Sequence, residues 1–362
     1  MEDNDITKIG VKESSDIYAV DCGTMFFQVA NKAGNVDIIR NAFVEISDID
    51  GIDDILDQNG WKYVKDGHNT YYVIGEDSLR VAQMFPGKVE LRRPMKDGVL
   101  NKNEDKKMIV LAEIIRSTIG DAPNDKSIIC TCVSSESVDA SVDSTYHKAR
   151  LASMFTRLGW KVKVIEEGYA VVLSECPVMD EPDGTQSKFS GIGMSFGSGR
   201  SNAVLAYKAL PIVGMSCVHS GDWISEQVAD QLGIPVSQVT AIKEKKLDFK
   251  NLNLDDDVIF ALDAFYSAMI KNVFNNFAKK FKEVKSNFEA PIEVVIAGGT
   301  SMPNGFCEKV ESVIRGLDLP FGIKSVRHAS SPRNAVVKGC LAHAIITKKK
   351  IDSGVEIKDL FE

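Results

Sequence analysis

Long apolar runs are missing from this chain of 362 residues; no stretch approaches the eighteen or so consecutive apolar residues of a membrane span. Positive charge is also short. Forty-three lysines and arginines face fifty-one aspartates and glutamates, a formal net charge of −8, so no generally basic nucleic-acid-binding surface is expected. The lysines between Lys243 and Lys246, and Lys348 to Lys350, read as small solvated clusters. Histidine is sparse and scattered, at positions 68, 147, 219, 328 and 343, which gives neither a metal cluster nor a catalytic triad. The seven cysteines are odd in number and several lie in apolar runs, such as Ile128 to Val133, so they read as reduced core residues rather than a disulfide framework. The acidic start, Met1 to Asp5, lacks the apolar core of a secretory signal and gives no amphipathic anchor. A hydrophobic fraction of 44% and a charged fraction of 26% then indicate a soluble protein, expected to be cytoplasmic. The length favours two domains over one.

The pattern along the chain is α/β. After a polar tail over 1–15, Ile17 to Val20 reads as a buried strand. Phe26 to Ala30 and Val36 to Val44 follow as strands around the hairpin Lys32 to Asn35, making an antiparallel opening. Residues 46–90, rich in Asp, Gly and aromatics, suggest an inserted subdomain containing the strand Tyr71 to Ile74. Helical spacing over 104–119 precedes the strand Ser127 to Val133. A helix over 142–158, the strand Val162 to Ile165 and a short helix through Leu173 complete this half. At Phe189 the pattern restarts, with strands at Gly191 to Ser195, Asn202 to Tyr207 and Leu210 to Cys217. Helices follow at Trp223 to Leu232 and 255–285; the second carries a core stripe through Val258, Leu262, Phe265, Met269, Val273, Phe277 and Phe281. Strand Ile292 to Ala297 and helices over 304–316 and 332–348 end the pattern. The matching openings of the two halves suggest a structural duplication.

Three turns place small or acidic residues directly after buried strands, where backbone amides can meet phosphate oxygens. In Asp21-Cys22-Gly23-Thr24, Gly23 permits close approach, Thr24 offers a hydroxyl and Asp21 can orient water around a phosphate-bound magnesium ion. The turn Gly197-Ser198-Gly199-Arg200 leaves its amides unobstructed. Gly298-Gly299-Thr300-Ser301-Met302 joins a strand to a helix and can lie against an adenosine or its α-phosphate. Singly, each is also what an ordinary hairpin or strand-to-helix turn carries. Ser198 is no nucleophile elbow, because a strand rather than a helix follows it.

In this order and at these separations, the three turns resemble the two phosphate motifs and the adenosine motif of the actin and heat-shock-chaperone ATPase superfamily. Gly75-Glu76-Asp77 with Arg93 to Val99 is similar to the corresponding segment of bacterial actins of the MreB and ParM kind. Ile165 to Ala170 and Ser331 to Gly339 resemble the two connecting segments, so the likeness runs over about 16–346. It implies an actin-like fold of two related domains, each a mixed sheet flanked by helices on a duplicated ribonuclease-H-like core, with inserted subdomains. Domain I is then 16–187, with an insertion at about 46–90, completed by 325–350. Domain II is 188–324, with an insertion at about 233–290, and 351–362 is a tail.

The resemblance implies ATP, or GTP, with Mg2+ in an interdomain cleft. Asp21, Cys22, Gly23, Thr24, Gly197, Ser198, Gly199 and Arg200 fall on the phosphate side. Lys243, Gly298, Gly299, Thr300 and Met302 fall on the adenosine side, and Asp21 on the metal through water. Glu167 takes the place of the carboxylate that orients the attacking water. Gly168 stands where the family has Pro, Ser195 where the second phosphate turn begins with Asp, Arg200 where a small residue is usual, and Thr240 where bacterial actins have Glu. The missing carboxylate at 195 makes slow hydrolysis the expectation. Head-to-tail self-polymerisation is the partner implied, together with a protein adaptor. A non-filamentous molecular switch like the chaperone ATPase domain is the alternative, and a small-molecule kinase of the same broad fold lacks an identifiable substrate base.

Overall fold

The structure is a computed structural model that describes residues 15–47, 51–66, 70–85, 87–139, 144–175, 178–180, 186–284, 291–356 and 360. The tail expected over 1–15 therefore lies outside the described residues except for Ser15. The chain divides into two compact units: Met1–Thr131 with Thr145–Lys163 and Ala344–Glu362, and Cys132–Ser144 with Val164–His343.

The first unit opens with β1 (Ile17–Cys22), β2 (Phe26–Asn31) and β3 (Val36–Arg40), antiparallel in sequence order. The run expected to continue to Val44 breaks at Asn41 and Ala42, and β4 (Phe43–Ile46) joins another sheet. The cause is local. Asn41 is fully buried, its backbone N–H donates to Met25 O at 2.9 Å, and its side-chain amide donates to Gly23 O at 2.8 Å. Those bonds take the chain off the β3 ladder.

Next come α1 (Ile52–Gln58), β5 (Tyr63–Asp66), β6 (Thr70–Ile74) and α2 (Glu76–Met84). Sheet β4-β6-β5 packs against both helices around Val44, Leu56, Trp61, Tyr71, Val73 and Val81, a small core of its own. A two-residue hairpin, β7 (Met95–Lys96) and β8 (Val99–Leu100), turns through Asp97 and Gly98, both at positive φ. Then α3 (Lys107–Ile119), β9 (Ile128–Val133), α4 (Ser144–Arg157) and β10 (Lys161–Glu166) complete the five-stranded mixed sheet β10-β9-β1-β2-β3. β9 is buried on both faces and lies parallel to β1, in keeping with its mostly apolar run.

The second unit contains α5 (Glu167–Ser174), the short pair β11 (Val178–Asp180) and β12 (Gln186–Lys188), then β13 (Gly191–Phe196), β14 (Ser201–Tyr207) and β15 (Leu210–Cys217). Three helices follow, α6 (Gly221–Leu232), α7 (Val236–Lys245) and α8 (Asp257–Glu283). The unit closes with β16 (Ile292–Ala297), α9 (Phe306–Ile314), β17 (Ile323–His328) and α10 (Ala335–Asp352), whose last residues from Ala344 belong to the first unit. Its sheet runs β15-β14-β13-β16-β17, with β13 antiparallel to β14 and parallel to β16. Both five-stranded sheets thus carry a three-strand antiparallel meander whose first strand is flanked by a parallel strand and then a fifth, the duplication expected from the sequence. The core stripe of α8 is buried against this sheet and against α6 and α9. Two lysines read as solvated surface are buried instead: Lys243 and Lys348, the latter with its ammonium 2.7 Å from Asp352 and 3.6 Å from Asp16.

Candidate nucleotide site

In the first unit the turn after β1 is held from two sides. Gly23 N–H donates to Phe26 O at 3.0 Å, and Gly23 O accepts from the buried Asn41 amide. Thr24 is buried too, and its hydroxyl oxygen accepts the Gly98 N–H at 3.0 Å. The Asp97–Gly98 hairpin is thereby fixed to the turn, a link between the two segments that no local pattern announces.

In the second unit several separate segments meet at the C-terminal ends of the parallel strands β13 and β16. The carbonyl of Gly197 is the hub: it accepts the Thr300 hydroxyl at 2.8 Å and the Gly221 N–H at 3.0 Å. Beside it, Ser198 O accepts the Asp222 N–H at 2.8 Å. The glycine turn between β13 and β14 is thus pinned by the first turn of α6 and by the turn after β16. Lys243, on α7, donates to Gly221 O and, at 2.7 Å, to the Ser225 hydroxyl. Gly298 adopts φ of 96°, and a Cβ there would meet Phe196 O at 2.3 Å, so only glycine lets β16 turn so close to the end of β13. At Gly299, by contrast, a Cβ would meet nothing within 4 Å. The site therefore combines rigid turns with open space beside the adenosine candidates; Thr300 is buried in it and Met302 exposed.

Glu167 is the first residue of α5. Its Oε1 accepts from the Ser134 hydroxyl at 3.0 Å and its Oε2 from the Asn202 side-chain amide at 2.9 Å. Asn202 is itself oriented, because its Oδ1 accepts the Ser135 N–H at 3.1 Å. Glu166 accepts from the Ser135 hydroxyl at 3.0 Å. Arg200 turns inward and is buried; its Nη1 donates at 3.0 Å to the Ser216 hydroxyl, which donates in turn to Ser135 O at 2.7 Å. Residues 134–139 run along β15, bridged at Ser137 and Ser216. They are fastened at the far end by Asp139, which accepts from Val218 N–H and His219. Burial opposes the charge of Asp139, yet those donors outweigh it and hold the carboxyl below its ordinary range.

Of the residues singled out from the sequence, the two glycine turns and Lys243 meet around the first turn of α6, and Glu167 lies in the same unit, bonded to Ser134 and Asn202. Sequence reasoning missed Ser134, Ser135, Asn202 and Ser216, and it started α6 two residues late, at Trp223. The turn Asp21 to Thr24 belongs to the first unit. Among the described residues no group of three or more His, Cys, Asp or Glu side chains is arranged to hold a metal ion directly. No helix among them is long and apolar enough to cross a membrane.

Two sheets of this topology, each with its turn at the strand ends, define the actin-like class of fold, and comparison with solved structures bears that out. The chain is similar to the MamK double helical filament, with a TM-score of 0.67, 17% identity and coverage of 91% of this chain and 98% of that one. It is also similar to MreB 5 of Spiroplasma citri bound to AMPPNP, with a TM-score of 0.66, 13% identity and coverage of 95% and 100%. A further likeness is to the MreB5 of Spiroplasma citri bound to ADP, with a TM-score of 0.62, 13% identity and coverage of 93% and 98%. No curated protein matches. The Volactin family model matches residues 17–344, and the chain belongs to that family.

Proposed function

We propose that this chain binds ATP with Mg2+ through its three turns and polymerises head to tail into cytoskeletal filaments, hydrolysing the nucleotide slowly. The observation that carries the proposal is the Gly197 carbonyl hub, which ties a candidate phosphate turn to a candidate adenosine turn more than a hundred residues away. MreB 5 was solved with AMPPNP and with ADP, and MamK as a filament, which supports nucleotide binding and self-association for a chain of this fold.

In this reading the amides of Gly197 to Gly199 and of Gly23 and Thr24 bind phosphate oxygens. Asp21 orients water on the magnesium ion, whose charge supplies electrostatic stabilisation at the phosphates. The segment Gly298 to Met302, with Lys243 behind the first turn of α6, receives the nucleoside. Arg200 acts from behind the phosphate turn, holding it to Ser216. Glu167 orients the attacking water while Ser134 and Asn202 fix the direction of its carboxylate. With Ser in place of Asp at 195, one anchor for the hydrated ion is gone and turnover is slow.

Calorimetry with ATP and GTP, with and without Mg2+, tests binding; no heat with any purine nucleotide removes the proposal. Pelleting and electron microscopy with ATP, with ADP and without nucleotide test assembly. A protein that binds nucleotide yet stays in the supernatant throughout is a switch rather than a filament former.

A further inference from the structure

Helix α8 turns a second pattern outward, opposite its buried stripe. Its exposed positions begin at Asp257 and end with Lys282 and Glu283; up to Lys282 they are separated by three, four, four, three, four, four and three residues. The mean is close to one helical turn, so they form a straight stripe along a helix about 40 Å long. The spacing also reads the same from either end. A second copy laid antiparallel about a midpoint between Met269 and Ile270 would set Asp257 against Lys282, Phe260 against Lys279, Ala264 against Asn275 and Ala268 against Lys271.

The two outer pairs are chemically complementary. The first is an ion pair and the second a cation over an aromatic ring, each occurring twice by symmetry. Nearer the centre each alanine faces a longer polar side chain, Asn275 or Lys271, so small is set against large. The helix dipole alone accounts for aspartates in the first turn and lysines in the last. It does not account for a phenylalanine left 59% exposed on the same line.

We infer that the outer face of α8 is a docking surface for α8 of a second copy, antiparallel across a twofold axis. Such a contact is isologous and closes on itself, unlike a head-to-tail contact, so it joins two chains or two filaments side by side rather than extending one.

The test is sedimentation velocity of the full chain without nucleotide at roughly 100 µM, a concentration that reveals weak dimers, and at low salt, where the surface ion pairs are least screened. Asp257→Lys and Lys282→Asp each place like charges opposite one another twice, and each is expected to weaken the dimer roughly tenfold or more. The double variant Asp257→Lys/Lys282→Asp restores opposite charges in both pairs and regains most of the association. A monomeric wild type, a single variant that dimerises as well as wild type, or a double variant no better than either single one overturns the inference. Because nucleotide is absent, these outcomes stand whether or not the chain binds ATP or polymerises.

Discussion

Replacing Gly339 by alanine sets two known effects against each other, and the structure fixes which one wins. Gly339 lies in the first turns of α10, where alanine is the better helix former by about 1 kcal/mol. A Cβ at that position, however, would sit 1.8 Å from Ala170 O and 2.5 Å from its carbonyl carbon. Ordinary contact begins at 3.4 Å, so α10 and α5 would have to part by about 1.6 Å, the difference of those distances. The obstacle is backbone, which cannot rotate aside. Nor can α5 retreat, since on its other side Gly168 O lies 2.4 Å from the Cβ position of Gly193, and Gly168 itself abuts Val204 N. Overpacking of this kind costs about 3 kcal/mol or more, leaving a net loss of about 2 kcal/mol and a fall in Tm of roughly 4–8 °C. Differential scanning calorimetry of wild type, Gly339→Ala and Gly299→Ala measures it, the last as the contrast because its Cβ enters open space. A Gly339→Ala protein as stable as wild type, or more so, would refute the close crossing of α5 and α10.

Glu167→Ala is expected to slow phosphate release with ATP and Mg2+ while leaving nucleotide affinity within about threefold, and Asn202→Ala to slow it by about tenfold through loss of one carboxylate bond. Equal release rates measured by a phosphate sensor would remove both residues from the mechanism. At Glu175 burial works to raise the carboxyl, but Arg327 at 2.7 Å and the N–H and hydroxyl of Ser330 at 2.8 Å outweigh it, and the group titrates below its ordinary value. A depressed carboxyl contributes stability that is complete above its unfolded-state value and is lost as pH falls through the folded one. Wild type should therefore lose stability as pH falls below about 5, and Glu175→Gln should be less stable at neutral pH with a flatter acid limb; parallel melting curves against pH would contradict this.

Much of the fold was legible because its signals are local. The buried strands β1, β9, β13 and β16 are mostly apolar runs, each interrupted by a single polar residue (Asp21, Thr131, Ser195 and Glu293), and α8 repeats its apolar residues for seven turns. β17 was missed because Lys324, Arg327 and His328 interrupt it; Arg327 is there for Glu293 and Glu175, partners no local window contains. The same limit applied to the site. Glycine turns announce themselves by composition, whereas the bonds from Ser134 and Asn202 to Glu167 span 33 and 35 positions and exist only once α5, β14 and the end of β9 are packed. Lys243 shows how a charge run misleads: one lysine of a surface-like cluster points inward because Gly221 O and Ser225 receive it.

Ser195 joins the stability of the second unit to its proposed chemistry. It is buried at the end of β13, opposite Asn202 on β14 and Ala297 on β16, a few residues from the carbonyl hub at Gly197. A serine hydroxyl can be buried there with modest loss, whereas an aspartate carboxylate needs a cation or several donors before it tolerates the same place. Ser195→Asp should consequently be destabilised by about 1–3 kcal/mol without ligand and should recover more of its Tm on adding Mg2+ and ATP than wild type does. If the carboxylate then anchors the hydrated ion, phosphate release accelerates; both readings come from one protein, by calorimetry and by release assay. A variant destabilised to the same degree with and without Mg2+ and nucleotide, and no faster in release, would mean that position 195 faces packing rather than the ion, and that slow turnover must originate elsewhere.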